Sequence, residues 1–278
     1  MVSPRSWLFC PADRPDRLRG AADAADAAVA DLEDAVHVDG KAAAREQLVP
    51  VLRDDPVRAC RIWVRVNGDE HLAADLAALA GLPVAGIVVP KAEPELLRAV
   101  AERVDVPLLA LVETADGLWR VRESAAVPQV RALTLGEYDL ADDLGTCSPE
   151  VDAGPLRWAR SRVVAAAAAA GLDPPPAPVS ADLADLDSYA TETGRLQHFG
   201  FFGRMCVHPK QVARVHAALR PAADEVDRAR KVVLAADAAE RDGRAVLVVD
   251  GRMIDAPVVR RARRVLDLAT ADLATGHG

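Results

Sequence analysis

The stretch "PLLALVETADGLW" (107–119) ends an apolar run on a carboxylate, Glu113. A carboxylate leaving a buried strand is costly unless a cation or a metal meets it. Polar residues recur at the ends of other apolar runs: "DLED" (31–34), Arg65 and Asn67 in "RIWVRVN", Lys91 in "VVPK", and Asp139 in "GEYDLADDLG" (136–145). Alternation along a strand puts Arg65 with Asn67, and Asp31 with Glu33, on shared faces. Glu113 and Asp139 follow consecutive runs, so they belong to neighbouring strand ends. Two carboxylates converging there, with water and ligand oxygens completing the shell, suit Mg2+. Arg65, permanently charged and fork-shaped, is suited to clamp a substrate carboxylate beside them. Metal, arginine and carboxylates together describe a site for a 2-oxo acid or its enolate. Plainer roles fit the same spacings. Glu113 could bridge to Arg65 as a structural ion pair, Asp139 could cap a helix starting at Leu140, and "DLED" could be a solvated loop.

The elements that must position these residues are legible as short apolar runs, each followed by a helical stretch. The runs are 6–10, 27–34, 61–67, 85–91, 107–113, 130–136, a weak "APVS" at 177–180, and 204–208. Amphipathic or Ala-rich segments such as "GKAAAREQLVPVL" and "PELLRAVAERV" lie between them. Strand and helix in alternation indicate parallel βαβ units. Eight units in about 220 residues predict an α/β protein with a (β/α)8 TIM barrel. A doubly wound open sheet is the alternative, but it would want a Gly-rich phosphate turn after the first strand, and "FCPADRPDR" has none. Residues 221–278 follow as a C-terminal extension: a long helix, a hairpin "AVLVVDGRMI" turning at Asp250-Gly251, and a closing helix.

Composition bounds the function. With 51% hydrophobic and 27% charged residues, 278 residues supply ample core, and 34 basic against 42 acidic residues give a net charge of −8. Nucleic acid is disfavoured as a partner, because phosphate binding needs a basic face. No apolar stretch is long enough to span a bilayer, and the N-terminus lacks the apolar core of a signal peptide. Cys10, Cys60, Cys147 and Cys206 are scattered without a C-x-x-C pair, which reads as free thiols in a reducing cytoplasm.

The motifs "RSWLFCPADRPDRL", "ADLEDAV", "RVN", "VVPKAE", "LVETADGL", "LGEYDLADDLG" and "GFFGRMCVHPKQV" stand in the order found in the citrate lyase β-subunit-like family, within the HpcH/HpaI aldolase superfamily. The chain resembles that family from Arg5 to about Val212. The resemblance implies a (β/α)8 barrel, usually trimeric, with Mg2+ held by two acidic residues. It also implies reversible cleavage of a 3-hydroxyacyl thioester to a 2-oxo acid and an acetyl-type thioester. Carried over by motif, Glu113 and Asp139 are the metal ligands, Arg65 the substrate-carboxylate clamp, and Asp31, Glu33 and Asp34 groups that orient metal-bound water.

The tail "VLVVDGRMIDAPVVRRARRVL" is similar to that of free-standing malyl-CoA and citramalyl-CoA lyases. There, the residue matching Asp255 serves the next subunit's site as acid/base group. Asp255 before "AP" is equally a good helix N-cap. Arg14, Arg17 and Arg19 stand where the resemblance places contacts to CoA, although a solvated charge run fits them too. His208 and Lys91 read as supports. One departure stands out: the family often has an acidic "A-I-D-G" run on the seventh strand, where this chain has "PAPVS". The resemblance leaves three activities to separate: acyl-CoA lyase, hydroxyacyl-CoA thioesterase on the same site, or a citrate lyase β-like subunit dependent on a partner.

Overall fold

The structure is a computed structural model and describes residues 3–149, 151, 153–241 and 247–275. The chain divides into two units, Ser3–Ala218 and Leu219–Gly278.

The first unit is built on a seven-stranded parallel sheet: β1 (Ser6–Pro11), β2 (Ala27–Asp31), β3 (Ile62–Arg65), β4 (Gly86–Val89), β5 (Leu108–Val112), β6 (Val130–Leu135) and β7 (Arg204–Cys206). The order is β6-β5-β4-β3-β2-β1-β7, so each of the first six strands pairs with its sequence neighbour. Helices connect them, as parallel pairing requires.

The strands are apolar on both faces, because helices cover one side and the other side packs on itself. Alternate residues Trp7, Ala27, Val29, Trp63, Val88, Leu109, Leu111, Ala132 and Met205 form one buried cluster. Trp7 and Trp63 meet in it at 5.1 Å with ring planes inclined by 58°. Such a tilted pair is worth about 0.5–1.5 kcal/mol beyond its burial. Gly86 makes room for Trp63, since a Cβ there would stand 2.3 Å from its ring.

The expected seventh strand is where sequence and structure differ. Residues 177–180 contribute only an isolated bridge, Ala177 to Arg204. Residues 173–177 nevertheless bond to both edge strands. The Asp173 amide donates to Arg131 O at 3.0 Å and Thr134 Oγ1 donates to Pro176 O at 2.9 Å, while the Met205 amide donates to Ala177 O at 2.9 Å. Pro174, Pro175, Pro176 and Pro178 lack amide protons, so this stretch cannot form a regular ladder.

The second unit contains helix Ala223–Arg241, the strands β8 (Leu247–Val249) and β9 (Arg252–Ile254), and helix Ala256–Thr275. The antiparallel hairpin turns at Asp250 (φ 48°) and Gly251 (φ 75°), the pair of positive φ values that a type I′ turn needs. Residues 245–246 of the expected hairpin lie outside the described residues. The two helices pack on each other, with Arg263 Nη2 2.9 Å from Asp237 Oδ1. Among the described residues, no helix is long and apolar enough to cross a membrane.

Candidate active site

The buried cluster and the polar strand ends lie in one alternation series. Continuing Val29, Trp63 and Leu111 by two residues along their strands gives Asp31, Arg65 and Glu113. The same face that is apolar through the sheet therefore becomes charged at the carboxyl ends of its strands. That is where parallel α/β proteins place their sites.

Arg65 sits opposite Asp31 in the β2–β3 register and is 8% exposed. Its Nε and Nη2 donate to Asp31 Oδ1 and Oδ2 at 2.8 and 2.6 Å, and Nη1 donates to Asp34 Oδ2 at 3.1 Å. Nη1 also lies 2.8 Å from Glu33 Oε2, an ion pair outside hydrogen-bond geometry. The guanidinium rests over the Phe9 ring at 5.2 Å. Burial would lower its pKa, but Asp31, Glu33 and Asp34 outweigh it and hold the charge. The arginine fork expected to be open thus faces Asp31. Three of its five N–H groups are hydrogen-bonded to protein, and Glu113 is not among its partners.

Glu113 is buried, and among the described residues its single hydrogen bond comes from the Lys91 amide to Oε1 at 2.8 Å. Oε2 receives none from the described residues and lies against Gly136, where a Cβ would approach it to 2.4 Å. Burial first, and then the charge of Glu33, push its pKa up to about 7; Asp139 adds to the rise and the Lys91 amide opposes it. Lys91 Nζ lies 3.0 Å from Glu33 Oε1 and 3.9 Å from Glu113 Oε1.

Asp139 is exposed and makes no hydrogen bond to the described residues. Its helix runs Glu137–Asp143 with Gly136 at the N-cap, so Asp139 lies in the first turn rather than capping a helix at Leu140. Glu137 anchors that helix instead. It is buried and takes a bidentate fork from Arg160, Nε to Oε1 at 2.6 Å and Nη2 to Oε2 at 2.8 Å.

A buried polar net fixes the "DLED" segment from behind. Lys41 Nζ donates to Leu32 O, Glu33 O and Asn67 Oδ1 at 2.9, 3.0 and 2.6 Å. The Asn67 amide and Nδ2 donate to Asp75 Oδ2 at 2.8 and 2.7 Å, and Arg45 Nη1 to Asp75 Oδ1 at 2.8 Å. Sequence reasoning missed Lys41, Asp75, Gly136 and the Glu137–Arg160 pair. The only signal for Lys41 or Asp75 was a charge within an otherwise apolar helical pattern.

The other expected residues are exposed or have partners of their own. Arg14 is exposed and only loosely paired with Asp13 at 3.7 Å, Arg17 is exposed, and Arg19 pairs with Asp16 at 3.3 Å. His208 Nδ1 accepts from the Lys210 amide at 3.1 Å, at the start of helix Pro209–Leu219. Asp255 belongs to the second unit, and its Oδ1 accepts from the Val258 amide at 3.2 Å, which makes it the N-cap of the closing helix.

The donor set fits a hard divalent cation. Glu113 Oε2 and the Asp139 carboxylate are hard oxygens without donors among the described residues, at successive strand ends. Among the described residues, no three or more His, Cys, Asp or Glu side chains converge as a cage. Mg2+ does not need one, because it keeps several waters and takes one or two carboxylates.

An acidic, cation-suited site at the carboxyl ends of a parallel sheet, braced by a buried arginine, defines the class as an α/β protein with a metal-suited active site. The chain belongs to the HpcH/HpaI aldolase/citrate lyase family, whose model matches residues 5–209. It is 37% identical over 269 residues to a citrate lyase subunit beta-like protein of Mycobacterium tuberculosis, covering 94% of this chain and 93% of that protein. It is 36% identical over 278 residues to a (3S)-malyl-CoA thioesterase of Cereibacter sphaeroides, covering 98% and 96%. Among solved structures it is similar to the protein CitE of Mycobacterium tuberculosis in complex with magnesium, acetoacetate and coenzyme A. That match has a TM-score of 0.82 and 35% identity, over 97% of this chain and 99% of that one.

Proposed function

We propose that this chain is a Mg2+-dependent carbon–carbon lyase. Its substrate would be a 3-hydroxyacyl-CoA of the citramalyl-, malyl- or citryl-CoA type, and its products a 2-oxo acid and acetyl-CoA, reversibly. The observation that carries the reading is the Glu113–Asp139 pair: two carboxylates at adjacent strand ends, with Glu113 Oε2 and Asp139 left without donors among the described residues. The magnesium, acetoacetate and coenzyme A held by the solved relative support it.

Glu113 and Asp139 would hold the Mg2+, which supplies Lewis-acid stabilisation to the substrate oxygen that passes from hydroxyl to keto. Arg65 would offer the substrate carboxylate the N–H bonds left after Asp31 and Asp34 are served. Asp31, Glu33 and Asp34 hold the guanidinium in place and would order water around the site. On cleavage the hydroxyl proton would pass to water in the site, the C–C bonding pair would pass to the thioester as an enolate, and that enolate would take a proton at carbon. Asp255, carried over a neighbouring copy's site by the C-terminal extension of a homotrimer, would donate it and take it back in the reverse direction. The exposed Arg14 and Arg17 would meet the phosphates of CoA. In this reading residues 173–180 stand in for the seventh strand of the barrel, and the enzyme works in the cytoplasm.

Hydrolysis of the thioester at the same site is the second reading, favoured by the 36% identity to a (3S)-malyl-CoA thioesterase. One assay separates them: malyl-, citramalyl- and citryl-CoA are offered with Mg2+ and with excess EDTA. Metal-dependent release of glyoxylate, pyruvate or oxaloacetate establishes the lyase and names its substrate. Free CoA with an intact hydroxy acid moves the assignment to the thioesterase. Neither product would point to a subunit that requires a partner.

A further inference from the structure

Lys91 is the single non-glycine residue of the first unit, among the described residues, with a positive φ, at 45°. A side chain with a Cβ is disfavoured there and glycine is not. The kink has a visible consequence. Pro90 has no amide proton, the Lys91 amide donates to Glu113 Oε1 at 2.8 Å, and the Ala92 amide returns to the backbone at Leu111 O at 3.0 Å. Two successive amides thus reach β5 and the residue that follows it, one binding a main-chain carbonyl and the other the carboxylate. Among the described residues Glu113 has no other hydrogen-bond donor, and Gly136 walls its second oxygen.

We propose that Lys91 is a positioning residue: its left-handed backbone aims the peptide N–H at Glu113 Oε1, so that Glu113 offers a divalent cation one oxygen, Oε2, rather than two. Single-oxygen ligation leaves more of an octahedral shell for substrate and water. The side chain accounts for a lysine where glycine would fit the backbone better, because its ammonium reaches Glu33 Oε1 at 3.0 Å. The inference rests on Glu113 being a cation ligand.

The test is calorimetric binding of Mg2+ alone to the metal-free full-length protein, with thermal melts, for Lys91→Gly, Lys91→Ala, Lys91→Val and Glu113→Gln. Lys91→Gly keeps the amide in place, and its Mg2+ affinity stays within roughly threefold of the parent, the small change expected when the ligand-orienting hydrogen bond survives. Lys91→Val, whose β-branched side chain resists the left-handed region, binds roughly tenfold more weakly, the usual effect of losing a group that orients a ligand. Lys91→Gly also melts above Lys91→Ala, the reverse of the order at ordinary φ; this comparison decides the matter even if Lys91→Val does not fold. Equal Mg2+ affinity for the Val and Gly variants, or equal melting of Gly and Ala, overturns the inference and leaves the ligand assignment standing. Unchanged Mg2+ binding by Glu113→Gln overturns the ligand assignment itself, and this inference with it.

Discussion

Gly136 lies against Glu113 so closely that a Cβ on it would stand 2.4 Å from Oε2 and 2.8 Å from the Glu113 Cβ. No side chain fits there. The chain leaving β6 passes over Glu113 at this glycine and enters at once the helix that carries Asp139. The absent side chain at Gly136 is what lets the chain pass over Glu113 on its way to Asp139.

Gly136→Ala should therefore displace Glu113 or the following turn while leaving both carboxylates in the sequence. A shift of about 1 Å at a reacting centre costs on the order of 100-fold in rate. We expect that loss in Mg2+-dependent 2-oxo acid release, together with loss of the melting-temperature gain on adding Mg2+. Full activity would show that the glycine does not hold the site together.

The protonation of Glu113 predicts a pH dependence with a definite sign. Its folded pKa is raised from 4.5 to about 7, so between those values the folded protein binds more protons than the unfolded one. This group's contribution to stability therefore falls as pH rises through that window. A cation competes with the proton for the same carboxylate. Mg2+ should raise the melting temperature more at pH 8 than at pH 5.5, and Glu113→Gln should abolish the difference. Equal gains at both pH values in the parent protein would refute this.

The Glu137–Arg160 fork is buried on both sides, so removing one partner strands a charge. Arg160→Ala should cost about 3–5 kcal/mol in urea unfolding. The double variant Glu137→Leu with Arg160→Met should recover much of that, since no charge then remains unpaired. Because Glu137 is two residues from Asp139, the single variant should also weaken Mg2+ binding.

The thiols divide by burial. Cys60 and Cys147 are exposed, while Cys10 and Cys206 are buried. Burial pushes both buried thiols up to about 11. At pH 8 a disulfide reagent should label two cysteines quickly and two only on unfolding, because the thiolate is the reactive form. Fast labelling of Cys10 in the folded protein would contradict the packing around β1.

Much of the architecture could be read along the chain because it is local. Apolar runs, helical periodicity and the Asp250-Gly251 turn each act over a few residues, and seven strands stand where the runs predicted them. The weak run at 177–180 fails as a strand for an equally local reason, its prolines. Period-two alternation likewise carried Asp31, Arg65 and Glu113 to one face.

Partnerships were not legible in the same way. The residue types allowed Glu113 to meet Arg65, but Arg65 turns to Asp31 because the β2–β3 register sets those two side by side. Lys41 and Asp75 are charges in helical stretches, and only the docking of those helices buries them. The sequence alone determined which residue types reach the carboxyl end of the sheet, since strand parity and apolar patterning are properties of the chain itself. Only the tertiary structure decided which cation serves which carboxylate, and that Glu113 Oε2 and Asp139 are left without donors among the described residues. Those choices depend on distances of about 3 Å between segments far apart in sequence, and such distances exist only once the sheet is assembled.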